Sequence, residues 1–208
     1  MTFQMTPDML RHVQLQRTFL TKASVDRIPE LYKNSCQSDY ESIRKALPKR
    51  TEGRVNILDI GAGMAGIDAI LFNYYFMAGA DPHIYILDKN TVTDKIKYGY
   101  SNNPSAYNSL DLTRKFLELN GVPAGNIHIF ETFPKNISFD FILSLISCGF
   151  HYPITEYISF IKQAIHAKTM LVFDVRKFSG QFDTLHNAFN WVNCLQITEK
   201  YKRMACRL

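Results

Sequence analysis

The stretch Leu58-Asp59-Ile60-Gly61-Ala62-Gly63-Met64-Ala65-Gly66 decides how this chain is read. It follows the short apolar run Val55–Ile60 and opens an apolar segment running to about Ala78, with Gly79 as its stop. The glycines therefore stand between an expected strand and an expected helix. Glycine lets the chain turn sharply and approach a ligand without a side-chain clash. The helix that follows offers its free N-terminal amides to that ligand.

An acidic residue is needed at the end of the next strand to accept hydrogen bonds from ribose hydroxyls. The strand His83–Leu87 ends at Asp88, and 88 − 66 gives 22 residues, close to the spacing of about 20 that such loops show. A nicotinamide- or flavin-dependent dehydrogenase carries the same glycines. Two details separate the readings. Asp59 sits at the strand end, where a carboxylate would repel a pyrophosphate. S-adenosylmethionine has no phosphate and carries two cationic groups, which a carboxylate favours. The second detail is a terminal pair of strands, Cys194–Thr198 and Tyr201–Leu208, which has no place in a simple dinucleotide-binding half.

Further elements follow from Arg54 onward. Leu110–Asn120 reads as a helix closed by Gly121, with Pro123 beyond it. Asn126–Phe130, Phe139–Ile146 and Thr169–Val175 read as strands, Ile154–Ala167 and Phe182–Trp191 as helices. Phe139–Ile146 is nearly all apolar, as a parallel strand covered on both faces should be. The expected fold is α/β: a doubly wound, mostly parallel seven-stranded sheet with an antiparallel C-terminal hairpin. Residues 1–53 carry helical patterns at 7–22 and 26–47, the second broken near Ser38, and then a polar break at Pro48–Gly53. They are expected to form a helical extension that partly covers an acceptor pocket, with 54–208 as the main domain.

Here a resemblance is plain. Leu58–Gly66 resembles the first motif of the class I S-adenosylmethionine-dependent methyltransferases, which cradles the methionine part of the cofactor. The resemblance covers 54–208. It implies that Asp59, Gly61, Ala62, Gly63, Gly66, Asp88 and its neighbour Lys89 bind S-adenosyl-L-methionine. Glu131-Thr132, just after the third strand, match the place of the adenine contacts, although Glu131 departs from the usual aspartate. Phe139–Ser144 resembles the fourth-strand motif, which puts Ser144 beside the cofactor. The activity implied is methyl transfer, and no metal is called for.

In parallel α/β sheets ligands bind beyond the carboxyl ends of the strands. The fourth strand leads into Ser147-Cys148-Gly149-Phe150-His151-Tyr152, where Gly149 permits a bend. His151 is the candidate general base, since methylating a hydroxyl requires its proton to be removed. Asp174, after the fifth strand, is an alternative base or an orienter of His151. Arg176 is placed to hold a carboxylate or phosphate on the acceptor. Tyr98, Tyr100, Tyr107 and Tyr152 are expected to wall the pocket.

The rest of the chain narrows the acceptor. Its 208 residues suit one domain or a domain with an appendage. The net charge of +5 is spread out, with no run of five like charges, so it reads as solvated faces rather than a nucleic-acid stripe. No [DN]-P-P-[YFW] motif follows the fourth strand, which disfavours amino methylation of a flipped base. Cys148 is preceded by Ser147 and not by proline, which argues against carbon methylation of cytosine. The four cysteines have no metal or redox spacing, and no apolar run approaches the ~18 residues of a membrane span. With no secretory signal pattern at the N-terminus, the expected location is cytoplasmic. The expected acceptor is a small-molecule hydroxyl, on a sugar or related metabolite. A tRNA or DNA methyltransferase, suggested by the isoelectric point near 9.0, and a non-catalytic cofactor-binding or assembly protein stay open as alternatives.

Overall fold

The structure, a computed structural model, describes residues 2–91 and 108–208. Tyr98, Tyr100 and Tyr107 lie outside the described residues. The N-terminal part holds α1 (Pro7–Gln16) and α2 (Ile28–Ile43). Then come β1 (Arg54–Ile60), α3 (Gly66–Met77), β2 (Asp81–Leu87), α4 (Leu110–Leu119), β3 (Ile127–Phe130) and β4 (Phe139–Ser144). The chain ends with α5 (Thr155–Gln163), β5 (Ile165–Arg176), α6 (Gln181–Ala188), β6 (Trp191–Ile197) and β7 (Tyr201–Arg207).

Among the described residues the strands form one seven-stranded sheet in the order β3-β2-β1-β4-β5-β7-β6. β1 to β5 are parallel, and β7 runs antiparallel to both β5 and β6. The direction of winding reverses between β1 and β4, which opens a crevice at their carboxyl ends. The doubly wound α/β fold with a C-terminal hairpin is the one the sequence leads to.

Alternation along the strands sorts side chains to two covered faces. Ile57, Leu143 and Val172 join residues of α1 to α4 on one face, and Leu58, Ile142 and Leu171 join Ile161 and Leu185 of α5 and α6 on the other. Residues 1–53 belong to the first cluster: Met9, Val13, Ile28, Tyr32, Cys36 and Ile43 are buried beside Leu71 and Phe72. Each aliphatic side chain buried this way is worth about 1.5–3 kcal/mol.

The helix starts are chemically marked. Thr6 caps α1, its Oγ1 accepting from the Met9 N–H at 3.4 Å, with Pro7 next. Ser109 caps α4 in the same way on Leu112.

The structure departs from the sequence reading at several element ends and at Ser38. α1 stops at Gln16, and a short 3₁₀ turn follows at Thr18–Leu20. α2 runs through Ser38 without a break. α5 ends at Gln163 rather than Ala167, because β5 already pairs with β4 at Phe139↔Ile165. The extra β5 residues form a bulge tied by Thr169, whose Oγ1 donates to the Phe139 carbonyl at 2.7 Å. α6 ends at Ala188, and β6 begins at Trp191, paired with Arg207.

Candidate functional site

The Gly61–Gly66 loop is folded by its glycines and by what presses on them. Gly61 has φ +77°, and its N–H donates to the Leu87 carbonyl at 2.8 Å. A Cβ on Gly61 would overlap the side chain of Ser147. Gly63 has φ +57°, and a Cβ there would lie 3.0 Å from Gln16 Oε1. Ala65, left-handed at φ 58°, leads into α3.

Asp88 holds this loop from β2. Its Oδ2 accepts from the Gly63 N–H at 3.0 Å and from Asn108 Nδ2 at 2.9 Å, and its Oδ1 accepts from the Lys89 N–H at 2.7 Å. Burial raises its pKa, and these three hydrogen bonds work against that rise. Each carboxylate oxygen can take about two hydrogen bonds, and among the described residues Oδ1 takes only the Lys89 N–H. The Asp88 N–H donates to the Phe130 carbonyl at 3.1 Å, which brings Glu131 and Thr132, both exposed, to the same edge.

Asp59 points from β1 beneath the loop and is buried. Among the described residues its Oδ1 has no hydrogen-bond partner, nor does either oxygen of the buried Asp68 on α3. Burial raises the pKa of both, and for Asp59 the charge of Asp68 adds to the rise.

Beyond β4 the chain wraps around one carbonyl. Ser147 C=O accepts from the N–H groups of Phe150 (3.0 Å), His151 (2.7 Å) and Tyr152 (3.3 Å). Gly149 allows this with φ +90°, and its carbonyl accepts from the Arg176 N–H at 3.0 Å. The His151 ring meets Phe150 edge-on at 4.8 Å, and the Arg176 guanidinium lies 4.9 Å from the same ring. Arg176 Nη1 is buried without a hydrogen-bond partner. Lys89 Nζ lies 5.8 Å from the Tyr152 ring, and the Tyr152 phenol is raised by burial and then by the charge of Asp88. The structure thus brings Asp88, Lys89, His151, Tyr152 and Arg176 to one end of the sheet.

Three expected site residues do other work. Asp174 is buried and takes Arg203 Nε and Nη2 on its two oxygens, both at 2.7 Å. Fully buried and paired on both oxygens with Arg203, it is closed off from an acceptor in the crevice. It also accepts from the Ile146 backbone, which stands in the left-handed region at φ 56°. A β-branched residue there costs of order 1–3 kcal/mol and needs external support. Ser144 is buried as well: its Oγ donates to the Ile60 carbonyl at 2.6 Å and accepts from the Cys148 N–H at 2.9 Å. It clamps β4 to β1 below the crevice. Gly66 donates its N–H to Tyr32 Oη at 3.1 Å, and a Cβ on it would lie 2.5 Å from Cys36 Sγ. Its lack of a side chain lets α2 approach α3.

Sequence reading passed over Tyr32, Gln16, His12 and Asn108, which reach the loop from segments without a glycine motif. It also passed over Asp68, which in sequence resembles an ordinary acidic residue in a helix's first turn.

No family model matches the sequence, and no curated protein matches it. Solved structures do resemble the fold. A putative O-methyltransferase from Nostoc punctiforme superposes with a TM-score of 0.58 at 12% identity, covering 85% of this chain and 56% of that one. A T. thermophilus 16S rRNA methyltransferase in complex with AdoMet and guanosine gives 0.56 at 14%, covering 83% and 42%. A precorrin-6y C5,15-methyltransferase from Geobacter metallireducens gives 0.55 at 14%, covering 82% and 86%. At these identities the likeness concerns the fold, which is the Rossmann-like fold of class I methyltransferases.

Proposed function

We propose that this protein is an S-adenosyl-L-methionine-dependent methyltransferase acting on a hydroxyl of a small molecule, with a sugar or related metabolite as the acceptor class. The observation that carries the reading is Asp88 at the end of β2, hydrogen-bonded to Gly63 of the glycine loop, with Oδ1 taking, among the described residues, only the Lys89 N–H. That is the arrangement needed to hold a ribose beside a nucleoside cradle.

The residues fit this cofactor and not a dinucleotide. Among the described residues Asp59 Oδ1 and both oxygens of Asp68 are buried without a donor, and acids in that state suit a cationic ligand and oppose a pyrophosphate. S-adenosylmethionine supplies an electrophilic methyl group and leaves as a neutral thioether. The backbone of Gly61, Ala62 and Gly63, with Asp88, binds and orients it, and Lys89, Glu131 and Thr132 line the same edge. His151 accepts the acceptor's hydroxyl proton as the oxygen attacks. Arg176, at the end of β5, and Tyr152 hold the acceptor, which favours one bearing a carboxylate or phosphate. Alignment of this kind can supply several kcal/mol, of order 7–11 in the best cases.

Calorimetry with S-adenosylhomocysteine and, separately, NAD tests the cofactor. Binding of the first alone supports the reading, and binding of NAD alone ends it. His151→Ala is expected to abolish turnover with cofactor affinity intact, and unchanged turnover removes His151 from the mechanism. Salt-sensitive binding to tRNA would move the acceptor to nucleic acid.

A further inference from the structure

The geometry points to Asn108 as a positioning residue for the ribose-holding carboxylate of Asp88, itself aligned by His12 and Gln16 of the N-terminal helix α1. This rests on the cofactor reading above.

Asn108 is buried at the start of α4, 2% exposed, and its amide has one sensible orientation. Oδ1 accepts from the Ser109 N–H at 2.9 Å and from Gln16 Nε2 at 3.3 Å, and it faces His12 Nε2 at 3.2 Å. Nδ2 donates to Asp88 Oδ2 at 2.9 Å. A flipped amide would set its NH2 against the Ser109 and Gln16 donors and its oxygen against a carboxylate. The Ser109 and Gln16 donors on one side and an anion on the other therefore fix which atom points at Asp88. His12 is buried, and that burial lowers its pKa; its Nε2 stands 3.2 Å from Asn108 Oδ1 and 3.1 Å from Gln16 Nε2, so it serves one of them, as donor to Asn108 or as acceptor from the Gln16 amide that itself donates to Asn108.

The same cluster holds the loop on its other side. Thr113 Oγ1, one turn into α4, donates to the Gly63 carbonyl at 2.7 Å, while the Gly63 N–H goes to Asp88. Gln16 presses on Gly63 where a Cβ would be. Asn108 thus fixes one oxygen of Asp88 so that the other is presented to the ligand. The N-terminal helix acts on the cofactor site through this amide.

The test is a ligand-by-variant comparison. Affinity is measured by calorimetry for S-adenosylhomocysteine and for its 2′,3′-dideoxyribose analogue, in wild type, Asn108→Ala, Asp88→Ala and the double variant. Asn108→Ala is expected to weaken S-adenosylhomocysteine roughly tenfold or more, as the loss of a hydrogen bond to a charged group does. Affinity for the dideoxy analogue should not change, and Asn108→Ala should add nothing in the Asp88→Ala background. Equal losses for both ligands, or additive losses in the double variant, would overturn the assignment and leave Asn108 a general packing residue. Should Asn108→Ala fail to fold, Gln16→Ala and His12→Gln carry the same comparison, with a smaller loss confined to the ribose-bearing ligand. If wild type binds no S-adenosylhomocysteine, the cofactor reading itself falls and this assignment with it. If wild type binds and the variants match it, only the assignment falls.

Discussion

Asp59 and Asp68 lie within hydrogen-bonding reach of each other through a shared proton, and among the described residues Asp59 Oδ1 and both Asp68 oxygens are buried with no other donor. Two buried carboxylates so close cannot both be ionised at modest cost. Burial pushes Asp68 up to about 7 and raises Asp59 as well. A carboxyl group whose pKa is higher folded than unfolded supports the fold at low pH. That support is lost as pH rises through the folded value. The melting temperature should therefore fall between about pH 5 and pH 8, and Asp68→Asn, whose amide can donate to Asp59, should flatten the decline. Melting curves at both pH values check this; identical slopes in wild type and variant would refute it.

The same pair should report on the cofactor. A cation bound beside it lowers the pair's pKa and expels the shared proton. Titrations of S-adenosylmethionine near pH 7, in buffers of different ionisation enthalpy, should show net proton release. Asp68→Asn should reduce that release. Heats independent of the buffer would mean that the pair does not sense the ligand.

Gly66 and Cys36 set the approach of α2 to α3. Gly66→Ala puts a methyl group 2.5 Å from Cys36 Sγ and 2.7 Å from Tyr32 Oη. Overpacking of this kind typically costs about 1–3 kcal/mol. The urea midpoint should fall accordingly, and Cys36→Ala in the same chain should recover part of the loss. A fall without any recovery would place the strain elsewhere.

The Asp174–Arg203 pair predicts a stability phenotype. Arg203→Met leaves a buried carboxylate unpaired and should cost about 3–5 kcal/mol. The double variant Asp174→Leu/Arg203→Met should recover much of it, since replacing both charges removes the desolvation penalty. Denaturant unfolding measures both. A double variant no more stable than the single one would show that the Ile146 N–H, or the neighbouring Asp39 and Ser42, which also meet Arg203, dominates.

The fold class and the glycine loop were legible in the sequence because both rest on local signals. Alternating strand and helix patterns, glycines at a fixed spacing and an aspartate about 22 residues on are properties of short segments, and backbone geometry translates them directly. Element ends were less legible. Ile165–Ala167 continues a helical pattern, yet pairing with β4 and the Thr169 tie draw it into β5.

Only the tertiary structure decided what the polar residues do. Asp174 and Ser144 occupy the right places in sequence but are consumed by Arg203 and by Ile60. Asn108, His12, Tyr32 and Asp68 carry no motif, yet they close on the loop from three helices and the lead into a fourth. A hydrogen bond spanning 96 residues, as between His12 and Asn108, leaves no periodic trace in a single chain. It exists only once burial has removed the water that would otherwise satisfy both groups.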